Sequence, residues 1–542
     1  MIRNVIIPSA VRVSPEMEVD FGPIPPCLVP IAGKSTAERI IDQYDSSCHF
    51  YIAIHDQADL VREHFEFFPN DQVHLVDVGK TISIAHTIQR VFAEHPELSS
   101  GPFVLNFADT IIEDLKLSEL EGDFMVVAPT IESQRWTLVQ QDEGKITQLS
   151  DKEFQLDPSA WQMLVGVWGV SDSTQFLANL NERSAETNRF AFYEAMIDYY
   201  NGLTQPALYV NCSQYIDCGH ADNYYAARRR LINARFFNVL KFNEQAGTIR
   251  KTSDNKEKLV DEIRWLQAIP KELKTFTPAV FDYSKNPLDP YLEMEFYSYP
   301  SLDEAFVSAR FDFDAWEKLF DKLFGLIRIA GKYRVTEDSL DDDLRDMYEA
   351  KTLTRLSQFS NDALQGDISI NQRRVKGIRG VQESIPQVLR EKQTCHANSF
   401  QVIHGDLCLG NILYDAKHGL IKLIDARGRF GRFDIFGDVY YDLAKLSHSI
   451  LGKYDFIVSG RSRVKEQDGN FTLEFKTSDY HDTVGKIFLK YLAREGFDVA
   501  RVRLIESLLF LSMLPLHRDH PDRQVAMALQ GIQLFDQFGG AA

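Results

Sequence analysis

Over the first part of the chain, short apolar runs alternate with segments whose apolar residues recur at helical spacing. Val5-Ile6-Ile7 and residues 50–54, 73–78 and 103–107 read as strands, and residues 36–44, 59–67 and 84–94 read as the helices between them. Such alternation predicts a parallel sheet covered by helices, a Rossmann-like layout that takes ligands at the carboxyl ends of its strands. Residues 221–234, rich in Tyr, Ala and Arg, read as a helix running directly into the next strand, with no flexible Gly/Ser tether between them. The pattern then changes. Residues 236–253 read as strand, turn and strand, 256–267 as a helix and 291–294 as a strand, while Trp316, Leu319, Phe320, Leu323 and Ile327 form one face of a core helix. Two α/β domains are expected, residues 1–235 and 236–542.

Length agrees with division, because 542 residues exceed what one hydrophobic core supports. With 44% apolar and 25% charged residues the composition is that of an ordinary globular protein. The 59 basic and 78 acidic residues leave a net charge of −19, which repels phosphate backbones and anionic lipid, so neither nucleic acid nor membrane is an expected partner. Ahead of Pro8 lies an apolar run of three residues, short for a signal peptide. The most apolar helix, residues 504–516, is interrupted by Glu506 and is too short to span a bilayer. A cytoplasmic location is therefore expected. The six cysteines contain no Cys-x-x-Cys pair and are expected to be free thiols.

Candidate chemistry concentrates in residues 401–427. His404-x-Asp406-x-x-x-x-Asn411 has the spacing of a phosphoryl-transfer loop, in which the Asp orients or deprotonates the attacking hydroxyl and the Asn holds magnesium. Fourteen residues past Asn411, Leu423-Ile424-Asp425 ends an apolar strand on a second carboxylate, suited to a metal bridging two nucleotide phosphates. Asp406 is thus the candidate catalytic residue, and Asn411 and Asp425 are candidate metal ligands. The competing reading is a buried hairpin with ordinary turn residues.

With Gly405 where protein kinases carry Arg, and Asp425-Ala426-Arg427 in place of Asp-Phe-Gly, this passage resembles the aminoglycoside phosphotransferase and choline kinase family, which phosphorylates small molecules. The resemblance implies a bilobed, protein-kinase-like domain using ATP and Mg2+. In it, Lys251 would pair with the nucleotide phosphates, Glu262 would hold Lys251, and Glu295 and Tyr297 would lie in the hinge segment that meets adenine. Arg250 is the alternate cation, and a solvated Lys251–Glu262 surface pair is the blander reading. Residues 243–247 lack a Gly-x-Gly-x-x-Gly loop, which argues against a protein kinase. Asp438 and Asp442, in Gly437-Asp438-x-x-Tyr441-Asp442-Leu443-Ala444, would brace the catalytic loop.

Three pieces of the first domain resemble the sugar-phosphate nucleotidyltransferase family. They are Leu28-Val29-Pro30-Ile31-Ala32-Gly33-Lys34 with Glu38-Arg39, Asp109 past a strand end, and Tyr215-Ile216-Asp217-Cys218-Gly219-His220-Ala221-Asp222-Asn223-Tyr224. The implied fold is GT-A-like, with Asp109 and Asp217 as magnesium ligands. Where that family has a glycine-rich loop, this chain has Pro8-Ser9-Ala10-Val11-Arg12, and where it has Pro-Lys this chain has Pro25-Pro26. Loss of an anion cradle and of a cation leaves two readings, a working but divergent nucleotidyltransferase and a degenerate domain kept for binding or assembly, with retained binding and slow or absent transfer expected. The expected whole is an ATP-dependent kinase of a sugar or polyol acceptor, fused to a divergent nucleotidyltransferase domain, in bacterial surface polysaccharide precursor synthesis. Its partners would be a nucleoside triphosphate and the small-molecule acceptor. A choline or ethanolamine kinase with a cytidylyltransferase-like domain and a non-enzymatic nucleotide-binding scaffold are the alternatives.

Overall fold

Alternation along Asn4–Ser9 sends Val5 and Ile7 into one hydrophobic core and Ile6 into another, so the strand has apolar side chains on both faces and must lie inside a sheet. The same division recurs in His49–Ile54, where Phe50, Ile52 and Ile54 join the first core and Tyr51 and Ala53 the second. In this computed structural model the described residues are 4–31, 34–130, 132–184, 188, 190–231, 238–243, 245–416 and 418–540. The chain divides into two compact units, Met1–Ile232 and Asn233–Ala542. The expected end of the joining helix and start of the next strand, residues 232–237, lie outside the described residues; the helix itself spans Ala221–Leu231.

The first unit is built on a nine-stranded sheet. Asn4–Ser9 runs parallel to His49–Ile54 and to Phe103–Asn106, and His49–Ile54 runs parallel to Val73–Asp77. Beyond Phe103–Asn106 the expected parallel order gives way to a mixed sheet. Gln162–Val170 pairs antiparallel with Phe103–Asn106, and antiparallel again with Phe124–Ala128 and Thr137–Asp142. The cause is local: after Phe103–Asn106 the chain passes through short strands and the hairpin Thr137–Asp142/Lys145–Asp151, with no crossover helix to return it parallel. A separate two-stranded ladder pairs Thr110–Ile112 with Tyr215–Asp217, setting Asp217 opposite Thr110.

The second unit opens with a four-stranded antiparallel sheet in the order Asn238–Asn243, Thr248–Ser253, Tyr291–Glu295, Val280–Ser284. The helix Lys256–Ala268, capped by the Asn255 side chain, buries Leu259, Ile263 and Trp265. Larger helices follow, among them Phe313–Ala330, in which Trp316, Leu319, Phe320 and Leu323 are fully buried, then Val439–Ile450, Val499–Met513 and Pro521–Gly539. Glu506 does not interrupt its helix. It is buried and accepts hydrogen bonds from Arg503 at 2.7 Å and from Ser447, so its charge is paired inside the core. That helix ends at Met513, two residues before Pro515, and a 3-10 turn, Leu514–His517, continues the chain. Among the described residues no helix is long and apolar enough to cross a membrane, and all six cysteines are free.

Candidate functional site

Strand alternation decides which cation of the Thr248–Ser253 strand faces inward. Arg250 is exposed, bonded to Glu293 at 3.0 Å with its guanidinium 4.2 Å above the Tyr291 ring. Lys251, one residue on and on the opposite face, is buried, and its Nζ donates at 2.7 Å to Glu262 and at 2.7 Å to Asp425. Neither bond is a solvated surface contact. Burial opposes charge on Lys251, but the two carboxylates more than offset this and hold its pKa well above the ordinary lysine value. Glu262 is raised by burial, against the pull of Lys251.

Asp425 is brought to this lysine by a hairpin. Ile412–Asp415 pairs with Leu420–Leu423, and at its open end the Ile424 amide donates to the Asn411 carbonyl at 3.0 Å. Asn411 and Asp425 therefore leave the same end of one ladder. Asp425 adopts a left-handed backbone (φ 59°), which Asp tolerates better than most residues. Just beyond, Gly428 (φ 70°) lies so close to the Glu262 helix that a Cβ would stand 2.2 Å from the Asp261 carbonyl carbon.

The loop carrying Asp406 is held by buried polar groups. Asp442 accepts from the His404 and Gly405 amides at 2.8 and 2.7 Å, the Asn411 amide nitrogen donates to the Asp406 carbonyl at 2.8 Å, and the Arg427 amide donates to the His404 carbonyl at 3.0 Å. Burial pushes the Asp442 carboxyl up to about 7 despite those donors, and pushes His404 down to about 4, so its imidazole is neutral near pH 7. Lys445 Nζ lies 2.9 Å from the Asp406 carboxylate. Sequence reasoning missed this cation. The signal was present, since Lys445 is three residues past Asp442 and so one helical turn along the same face.

Glu295 and Tyr297 lie at the end of the Tyr291–Glu295 strand and just past it. The Tyr297 hydroxyl donates to the Glu295 carboxylate at 2.6 Å, and Lys422 sits 5.0 Å from the Tyr297 ring centre. The Glu295 amide donates to the Ala279 carbonyl at 2.8 Å and the amide of Phe296, between the two residues, to the Gly247 carbonyl at 3.0 Å.

No cluster of three or more His, Cys, Asp and Glu residues among the described residues is arranged to hold a metal ion. Asn411 with Asp425 is a smaller set. With the amide nitrogen committed to the Asp406 carbonyl, the Asn411 side-chain oxygen remains a ligand, and Asp425 adds carboxylate oxygen. That donor set fits magnesium, which binds through few protein oxygens and completes its shell with water and substrate phosphates.

In the first unit the Thr110–Ile112 ladder places Asp109 beside Asp217, and the Cys218 amide donates to the Asp109 carbonyl at 2.7 Å. The Gly219 amide donates to Asp217 Oδ1 at 2.7 Å, while Asp217 Oδ2 meets His220 Nδ1 at 2.7 Å and Asn223 Nδ2 at 2.8 Å. A Cβ at Gly219 would lie 2.7 Å from Asp109 Oδ2 and 3.0 Å from Asp217 Oδ1, so both carboxylates converge on a space that only glycine leaves open. Burial, then repulsion from Asp217, raises the Asp109 carboxyl to about 6. Two converging carboxylates fit a divalent cation. Arg12, in the altered loop, and Lys34, in the segment after it, are already engaged: Arg12 with Asp56 at 2.8 Å and Lys34 with Asp42 at 2.5 Å. Ala32 and Gly33 lie outside the described residues.

No protein-family model matches the chain, and no curated protein matches it. Among solved structures, a UDP-glucose pyrophosphorylase from Acinetobacter baumannii is similar at 13% identity and a TM-score of 0.33, over 42% of this chain and 93% of that one. The inositol-1-phosphate CTP transferase from T. maritima is similar at 13% identity and a TM-score of 0.34, over 42% and 94% of the two chains.

Proposed function

We propose that the second unit is an ATP- and magnesium-dependent phosphotransferase acting on a hydroxyl of a small sugar or polyol, with the first unit a divergent nucleotidyltransferase-like domain that binds a nucleotide or sugar phosphate. The observation that carries the phosphotransferase reading is the buried Lys251, 2.7 Å from Glu262 on the next helix and 2.7 Å from Asp425, 174 residues further along the chain. Lysine held this way is oriented toward nucleotide phosphates while its charge is maintained. Asp406 accepts the proton of the attacking hydroxyl, and Lys445, 2.9 Å away, holds that carboxylate in place. Asn411 and Asp425 would hold magnesium, which neutralises phosphate charge when bound.

The test is ATP consumption against sugars, polyols and amino alcohols, with the product identified. Asp406→Asn is expected to fold and to lower turnover by at least about a hundredfold, because the base is lost and the shape kept. Full activity in that folded variant would overturn the assignment.

A further inference from the structure

The cations beside Asp406 point to the chemistry of the acceptor. Lys351 opens the helix Lys351–Leu356 directly after a π-helical turn, Asp346–Ala350, an arrangement that re-aims the side chains of the following turn. Its strongest charge interactions are with Arg427, Arg355 and Lys445, followed by Asp406. Three of these four cations have partners. Arg355 donates to the Ser512 carbonyl at 3.0 Å, Arg427 to the Arg429 carbonyl at 2.9 Å and to the Tyr441 hydroxyl at 3.1 Å, and Lys445 meets Asp406 at 2.9 Å. Lys351 is partly buried and has no hydrogen bond or ion pair among the described residues. Arg427 packs against the Asp406 loop, where a Cβ on Gly405 would stand 2.7 Å from the Arg427 Cβ, and its guanidinium bonds to Tyr441, whose ring stacks on Tyr348 three residues before Lys351, so Arg427, Lys351 and Lys445 approach this loop from three elements in a chain whose net charge is −19.

Packing alone gives no reason for this. A half-buried ammonium among like charges is destabilising, and burial together with those neighbours pushes Lys351 down to about 6. An anion placed among the cations removes the repulsion and supplies the missing partner. We propose that the acceptor bears a phosphate or carboxylate, and that Lys351, with Arg355 and Arg427 near it, binds this anion while the acceptor hydroxyl meets Asp406. The proposal rests on the phosphotransferase reading for the role of Asp406. It separates the acceptors considered above, since a trimethylammonium or ammonium alcohol would add to the repulsion whereas an acidic or phosphorylated polyol relieves it.

The experiment uses the full chain with ATP and magnesium, and compares glucose, gluconate and glucose 6-phosphate, then glycerol, glycerate and glycerol phosphate, with choline as the cationic member. At least one anionic compound is expected to show a KM more than about tenfold below that of its neutral parent, and the gluconate and glucose 6-phosphate arms tell carboxylate from phosphate. Lys351→Met is expected to raise that KM more than about thirtyfold with kcat changed by less than about threefold, Lys351→Arg to recover most of the loss, and equilibrium ATP binding to stay the same in both. Preference for the neutral parent or for choline overturns the proposal, as does a Lys351→Met variant of native circular dichroism with an unaltered KM. If no compound is phosphorylated, the phosphotransferase reading fails separately, and calorimetry with the same anions still decides the subsite: heat lost in Lys351→Met sustains it, and heat unchanged removes it.

Discussion

One ammonium, on Lys251, serves two carboxylates, and this gives the residue a structural role beside the one proposed for it. Lys251 and Glu262 are 4% and 3% exposed, so removing the lysine leaves a buried acid without its counter-ion. Lys251→Met is expected to cost about 3–5 kcal/mol in denaturant unfolding, along with a loss of turnover. The double variant Lys251→Met/Glu262→Gln separates the two effects. Its stability should largely return while turnover stays low, and recovery of turnover would reduce Lys251 to a packing residue. Arg250→Met should leave turnover nearly unchanged, because Arg250 lies on the opposite face with Glu293. The spacing of Asp406, Asn411 and Asp425 was legible in the sequence because all three fall within twenty residues, the last two at the open end of one hairpin. Lys351 was not read from it, since it enters from a separate helix, and Lys445, though one turn past Asp442, belongs to no motif that points to Asp406.

Single elements show the same division between local and distant signals. The helix Thr36–Ile41 could be read from Ser35 and Glu38, which form a reciprocal capping box. What could not be read was His64, a buried residue of another helix, 3.4 Å from the Glu38 carboxylate. Burial alone would raise Glu38, yet the bonds from His64 and Ser35 take it down to about 2. A carboxyl depressed on folding adds stability above its unfolded value of about 4.3, and that contribution disappears as pH falls toward 2. Glu38→Gln is therefore expected to cost about 1–2 kcal/mol at neutral pH and to flatten the acid limb of the stability profile between about 4.5 and 2. An unchanged acid limb would remove Glu38 from the account. The direction of Gln162–Val170 was likewise hidden: periodicity marks a strand's faces but not its direction, and only the missing crossover after Phe103–Asn106 makes it antiparallel.

At the level of the whole molecule, the two units should lose function independently. Asp109→Asn or Asp217→Asn is expected to weaken binding of a nucleotide or sugar phosphate by calorimetry while ATP-dependent phosphorylation continues, and Asp406→Asn should do the reverse. Pyrophosphate release should stay far below that of an efficient nucleotidyltransferase, because Arg12 and Lys34 are engaged by Asp56 and Asp42. Robust release abolished by either Asp change would make the first unit a working enzyme. The change of pattern near residue 236 is a local signal in the sequence, whereas the state of those two cations depends on acids that no motif contains.

Gly428 bears on timing. Regulated kinases control turnover by letting the lysine–glutamate pair and the metal-binding Asp come apart until a signal reunites them. Here the segment after Asp425 touches the main chain of the Glu262 helix, with no gap into which a side chain could be inserted. A site held in this way is expected to be assembled before substrate arrives. Product should accumulate linearly from the moment of mixing, without a lag and without prior modification of the protein, and Gly428→Ala should impair phosphorylation by forcing this segment off the Glu262 helix. A lag abolished by preincubation with ATP would show that the contact opens, and would give the second unit a clock.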